Sequence, residues 1–121
     1  MNWKLTGDQP VYQQIMAAIR GAIVQGEFAP GQKFPSVRDL AAQAQVNPNT
    51  MQRALTELER EGLLVSGGTS GRSVTRDEAV LRAMREQTLR TLARECAEKF
   101  QVFGVAPAQA AQLLLEMEKE E

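Results

Sequence analysis

The chain has 121 residues, 43% of them apolar and 24% charged, with 14 Lys or Arg against 15 Asp or Glu and a formal net charge of −1. That length suits one domain, or one small domain plus an appendage, and the overall charge excludes a globally basic nucleic-acid glue. With no histidine and one cysteine, the chain cannot hold a Ser-His-Asp or Cys-His nucleophile pair, a Cys/His zinc site or an internal disulfide, which leaves a binding module or an enzyme of carboxylates and hydroxyls.

Met1 to Thr6 contains no apolar core of a signal peptide. No apolar run approaches the ~20 residues that a spanning helix needs. The lone thiol Cys96 fits a reducing compartment, so a cytoplasmic location is expected and no membrane partner.

The first helix is expected after Asp8-Gln9-Pro10, with Asp8 as cap and Pro10 in the first turn. Val11, Ile15, Ile19 and Ile23 recur every fourth residue and give it one apolar stripe. Gly26 ends it, and Pro30-Gly31 marks a turn. Ser36 caps a second, short helix that buries Val37, Leu40, Ala41 and Ala44, with Asp39 standing in for the acid of a capping box. Asn47 caps a third helix with Pro48 at its first position, and Gly62 closes it. Leu63–Ser66 and Arg72–Thr75 then read as the arms of a hairpin around a glycine-rich loop.

Two helices joined by a tight turn and followed by a hairpin is the order of a winged helix-turn-helix. The expected class is therefore α+β, mostly helical. Residues 1–76 form the winged head and residues 77–121 a C-terminal two-helix region.

That region opens with a helical pattern over 77–103. Leu81, Met84, Leu89, Leu92, Cys96, Phe100 and Phe103 follow one another at steps of three to five. A helix of that length runs ~40 Å, more than one small head supports, so its apolar side is expected to meet a second copy. The alternative is packing back on its own head. A last short helix from Pro107 adds Leu113, Leu114 and Met117 to the expected homodimer interface. Cys96 reads as a small apolar residue of that face rather than a redox sensor.

The third helix carries the chemistry. Counted at 100° per residue from Asn49, Met51, Ala54, Leu55 and Leu58 fall at roughly 140–240°. Asn49, Gln52, Arg53, Thr56 and Arg60 fall within roughly 60° of zero, with Thr50 at the edge. Asn, Gln, Arg and Thr are the side chains that read base edges. The acids Glu57, Glu59 and Glu61 are held to the C-terminal half. At the second helix, Ser36 and Arg38 offer free N–H groups and a positive charge to a phosphate. Otherwise Ser36 only caps and Arg38 pairs with Glu57 or Glu61. The hairpin tip, Thr69-Ser70-Gly71-Arg72, is small and ends basic, as suits close approach to a minor groove. Its glycines lack the Lys-Ser/Thr of a phosphate loop and lead into a strand, so no nucleotide cofactor is expected.

Several ordered segments carry a resemblance. These are Pro10-Val11-Tyr12 with Gln14-Ile15, Gly26 to Ala41 through Pro30-Gly31 and Phe34-Pro35-Ser36, Val46-Asn47-Pro48-Asn49-Thr50, Arg53-Ala54, and Leu58 with Glu61-Gly62. Together they resemble the DNA-binding domain of the GntR family of bacterial transcription regulators over residues 10–75. The resemblance implies DNA contacts at Arg38, at Asn47, Pro48, Asn49, Thr50, Gln52 and Arg53, and at Thr69, Gly71 and Arg72. Pro48 stands where many members carry an arginine. The Asn-Pro-Asn-Thr form and the short C-terminal region instead resemble the YtrA-like branch, which ends in two dimerising helices and is often linked to transporter operons. The function implied is a sequence-specific regulator, a repressor binding a palindromic double-stranded operator as a homodimer, with no cofactor. A small-molecule effector is not specified. The competing reading is a protein-interaction adaptor on the same fold. An enzyme is not expected, because alternating and terminal acids are usually solvated faces.

The net charge divides unevenly. Residues 1–76 hold eight basic and six acidic side chains, a balance of +2, and residues 77–121 hold six and nine, a balance of −3. A head at +2 binds DNA modestly on its own, which makes pairing of two heads more necessary.

Overall fold

The structure is a computed structural model, and it describes residues 1–120. In chain order the elements are α1 (Val11–Val24), α2 (Val37–Ala44), α3 (Pro48–Arg60), β1 (Leu64–Ser66), a 3-10 turn (Gly68–Ser70), β2 (Arg72–Val74), α4 (Glu78–Val102) and α5 (Pro107–Glu118). The chain divides into two compact units, one ending at Arg85 and the other beginning at Glu86.

In the first unit α3 is the central element and packs on α1, α2 and β1. The apolar spacing of α3 dictates this. Met51, Ala54, Leu55 and Leu58 are all fully buried and meet Ile15, Ile19 and Ile23 of α1 and Leu40 of α2 in one core. Both ends of α3 are closed by local chemistry. Asn47 Oδ1 accepts from the Asn49 amide at 2.7 Å, and Pro48 occupies the first helical position. At the other end Gly62 sits at φ 83°, and Leu63 N donates back to Leu58 O at 3.0 Å, the left-handed stop that glycine allows. The turn between α2 and α3 uses the same device without glycine. Gln45 holds φ 57° while Val46 N bonds Ala41 O at 3.1 Å.

The start of α1 departs from expectation. Pro10, not Asp8, is the cap residue, and no side chain caps the helix. Asp8 instead accepts from the Thr6 hydroxyl. Gln14 takes over the entry: its amide donates to Thr6 O and Gln9 O at 2.8 Å each, and its carbonyl accepts from Thr6 N at 2.7 Å. Val11, one turn before the core begins, is exposed, while Met16 and Ala22 are buried.

β1 and β2 pair antiparallel with Leu64 opposite Val74, Val65 opposite Ser73 and Ser66 opposite Arg72. A third segment joins the far side of β2. Lys33 bridges Ser73, with Phe34 N donating to Arg72 O at 2.8 Å and Val74 N to Gln32 O at 2.9 Å. The wing is thereby tied to the chain just ahead of α2.

Asp77 caps α4 rather than belonging to it, its carboxylate accepting from Ala79 N at 2.9 Å. The first turns of α4 complete the head: Met84 is buried in its core and Leu81 packs against it. The first compact unit reaches Arg85, and residue 76, where the sequence places the end of the winged head, lies within it. Of the residues expected at the dimer interface, Met84 is buried within the head and Leu81 is half-buried against it.

The second unit contains the rest of α4 and α5. Gly104 N and Val105 N return to Gln101 O and Phe100 O at 2.8 and 3.1 Å and end α4. Ala110 of α5 is buried, whereas Leu113, Leu114, Leu115 and Met117 are each about half exposed and Phe103 is 84% exposed. Leu89 and Leu92 are also exposed, while Cys96 and Phe100 are half-buried.

Candidate nucleic-acid interface

The outward side of α3 carries the expected row. Asn49, Gln52, Arg53, Thr56 and Arg60 are exposed and Thr50 is half-buried. Contacts with other side chains engage several of them. Gln52 Nε2 donates to Thr56 Oγ1 at 3.1 Å, one turn along the same face. The Arg53 guanidinium lies over the ring of Tyr12 from α1, 3.8 Å from the ring centroid. A stacked guanidinium keeps its in-plane N–H groups free for a second partner. Asn47 uses its carbonyl oxygen as the helix cap, and Asn47 and Pro48 are both exposed.

Ser36 accepts from Asp39 N at 3.1 Å and so caps α2. Arg38 is exposed and forms no ion pair among the described residues. The acids nearest in chemistry to such a pairing, Glu57 and Glu61, are engaged elsewhere. Glu61 takes Arg20 in a two-pronged contact at 2.6 and 3.2 Å, and Glu57 takes Arg60 at 2.9 Å. The third acid, Glu59, takes Arg72. Glu57 and Glu59 of α3 and Glu61 at its C-cap thus each have their own cation, which lowers the repulsion that an approaching phosphate would meet.

The wing tip differs from expectation at one residue. Thr69 and Gly71 are exposed, and Gly71 holds φ 81°, which favours glycine. Arg72, expected to point outward with them, donates from Nε to Glu59 and is only 18% exposed. An arginine next to a loop looks free in a sequence, and its pairing with an acid 13 residues earlier depends on how the hairpin folds against α3. The sequence reading also passed over Tyr12, which appears there only as part of the helix-opening motif, and Lys33, exposed on the added edge of the wing. Among the described residues no cluster of acids and thiols is arranged to hold a metal.

A helix-turn-helix with an exposed polar row on its second helix, closed by a hairpin wing, defines a winged helix-turn-helix DNA-binding fold. Residues 11–74 match the model for bacterial regulatory proteins of the gntR family, and the chain belongs to that family. Its relatives are transcription regulators. The uncharacterized HTH-type transcriptional regulator YhcF of Bacillus subtilis is 34% identical over 100 residues, 83% of this chain and 79% of that protein. The HTH-type transcriptional repressor YtrA of the same organism is 46% identical over 55 residues, 46% of this chain and 42% of that protein, so the match spans less than half of that relative. Among solved structures, a GntR family transcriptional regulator from Listeria monocytogenes superposes with a TM-score of 0.79 at 27% identity, covering 93% of this chain and 98% of that one. The DNA-binding domain of AraR, solved in complex with an operator, has a TM-score of 0.53 at 31% identity and covers 62% of this chain and 93% of that one. No described helix is long and apolar enough to cross a membrane.

Proposed function

We propose that the protein is a cytoplasmic transcriptional repressor that binds a palindromic operator as a homodimer. Residues 36–72 supply the reading surface, and the helices beyond Glu86 join two copies. The single observation that carries the reading is the row Asn49, Gln52 and Arg53, exposed at the N-terminal half of α3 and oriented by Thr56 and Tyr12. In that role Gln52 and Arg53 reach base edges, while Arg38, Ser36 and the amides at the start of α2 take phosphate. Thr69 and Gly71 lie along the minor groove.

The apolar surface left in the second unit supports pairing. Leu113, Leu114 and Leu115 are consecutive on α5 and each about half exposed. Three adjacent positions point three ways around a helix, and a helix apolar on several sides is covered on several sides. A second copy supplies that cover, and Leu89, Leu92, Cys96, Phe100, Phe103, Leu113, Leu114 and Met117 form the interface. The repressor sign draws on relatives such as YtrA, whose name describes a repressor.

The test is selection of duplexes from a random library by the full chain. An inverted repeat should emerge, with half-site centres about one helical turn (~34 Å) apart. Enrichment of no sequence, or retention of the enriched duplex by the Gln52→Ala, Arg53→Ala double variant at wild-type affinity, contradicts the proposal.

A further inference from the structure

We infer that Arg72 and Glu59 form a positioning pair that holds the wing tip against one flank of α3, so that Arg72 serves DNA binding without touching DNA. The inference rests on the DNA-binding reading above and adds a device to it. Arg72 opens β2 opposite Ser66, the last residue of β1, so this rung is the last of the ladder, with only the Gly67 N to Gly71 O hydrogen bond at 2.5 Å between it and the tip. Its guanidinium donates to Glu59, and the two side chains are 18% and 29% exposed. Glu59 follows Gln52 by seven residues, about 20° away around the helix, so both occupy one flank of α3. Anchoring the last rung at Glu59 sets the tip on the side from which Gln52 projects.

The tip has little else to locate it. Its hydrogen bonds are local: Ser70 Oγ and Ser70 N donate to Gly67 O at 2.6 and 3.2 Å, Gly71 N donates to Gly68 O at 3.3 Å, and Gly67 N donates to Gly71 O at 2.5 Å across the neck of the loop. A loop with glycine at positions 67, 68 and 71 samples many positions unless its base is fixed, and ordering it on DNA costs affinity. The salt bridge at the base removes part of that cost in advance.

The sign of one substitution separates positioning from contact. Glu59→Ala deletes an acid from the reading helix, which on charge alone strengthens DNA binding, and it also frees Arg72 to reach a phosphate. Positioning requires the opposite result.

The experiment uses the full chain, fluorescence anisotropy at fixed salt, and the duplex that the wild-type chain enriches from the random library. Glu59→Ala and Arg72→Ala are each expected to lose about three- to tenfold in affinity. The double variant should bind no worse than the weaker single one, and the charge swap Glu59→Arg, Arg72→Glu should return to within about twofold of wild type. The slope of log affinity against log salt should stay at its wild-type value in Arg72→Ala, where a lost phosphate contact reduces it by ~0.9. Thermal melting of every variant identifies loss of fold, and Glu59→Gln carries the comparison if the swap does not fold. Undiminished or tighter binding by Glu59→Ala, or additive losses in the double variant, overturns the inference while leaving the DNA reading intact. A wild-type chain that enriches no duplex overturns both.

Discussion

Replacing Tyr12 by leucine removes the aromatic ring on which Arg53 stacks. The guanidinium carbon stands 3.8 Å above the ring centroid, and Arg53 itself is exposed. A cation–π contact at such a site contributes about 0.5–1 kcal/mol. Without it Arg53 regains rotamer freedom, and ordering it on a base costs about 0.5–1.5 kcal/mol. The two figures describe one event seen from two sides, so about 1 kcal/mol per reading head is the consistent value. Two heads on one palindrome give about 2 kcal/mol, close to a thirtyfold loss of affinity. Tyr12→Phe keeps the ring face and should bind within about twofold of wild type. The assay is anisotropy on the enriched duplex, with melting temperature recorded for each variant because Tyr12 also packs against the head core. Equal losses for phenylalanine and leucine refute the stacking argument, as does undiminished binding by the leucine variant.

Other substitutions probe separate links. Arg38→Ala should weaken enriched and unrelated duplexes alike and lower the salt slope by ~0.9 per lost phosphate contact. Gln52→Ala should cost about 1–3 kcal/mol on the enriched duplex and little on unrelated DNA. Paired titrations on both duplexes decide between these patterns. Leu55, 0% exposed at the centre of α3, should lose about 2–5 kcal/mol of unfolding free energy on truncation to alanine, read from the denaturant midpoint. Gln45→Gly should raise the melting temperature rather than lower it. Gln45 occupies the left-handed region at φ 57°, where a side chain costs about 1–2 kcal/mol that glycine avoids. A lowered melting temperature would show that the Gln45 side chain contributes more than its backbone strain.

The legible parts of the chain were those whose signals are local. The cap Asn47-Pro48, the stop at Gly62 and the spacing of Met51, Leu55 and Leu58 lie within α3 itself, and the helix runs Pro48–Arg60 between them. The outward row from Asn49 to Arg60 follows from the same periodicity. Features set by distant pairing were not legible. Gln32–Phe34 shows no strand alternation and ends at Pro35, yet it pairs with β2 because Phe34 is drawn into the core beside Val74. Leu81 and Met84 continue the same stripe as Leu89 and Leu92, and only the packing of the head separates the first pair from the second. Asp8 has the chemistry of a cap, but the helix starts two residues further on at the Pro10 cap, and the Asp8 carboxylate accepts from the Thr6 hydroxyl instead. Arg72 falls in the same group, since its partner Glu59 lies on another element.

The central claim is that two chains read one palindrome together. Sedimentation of the full chain with the enriched duplex, alongside titration of the isolated half-site, tests it most directly. Two chains on each full duplex are expected, with at least a hundredfold weaker binding to the half-site, the gain that comes when the second head binds intramolecularly. One chain per duplex, with equal affinity for half and full sites, would contradict it.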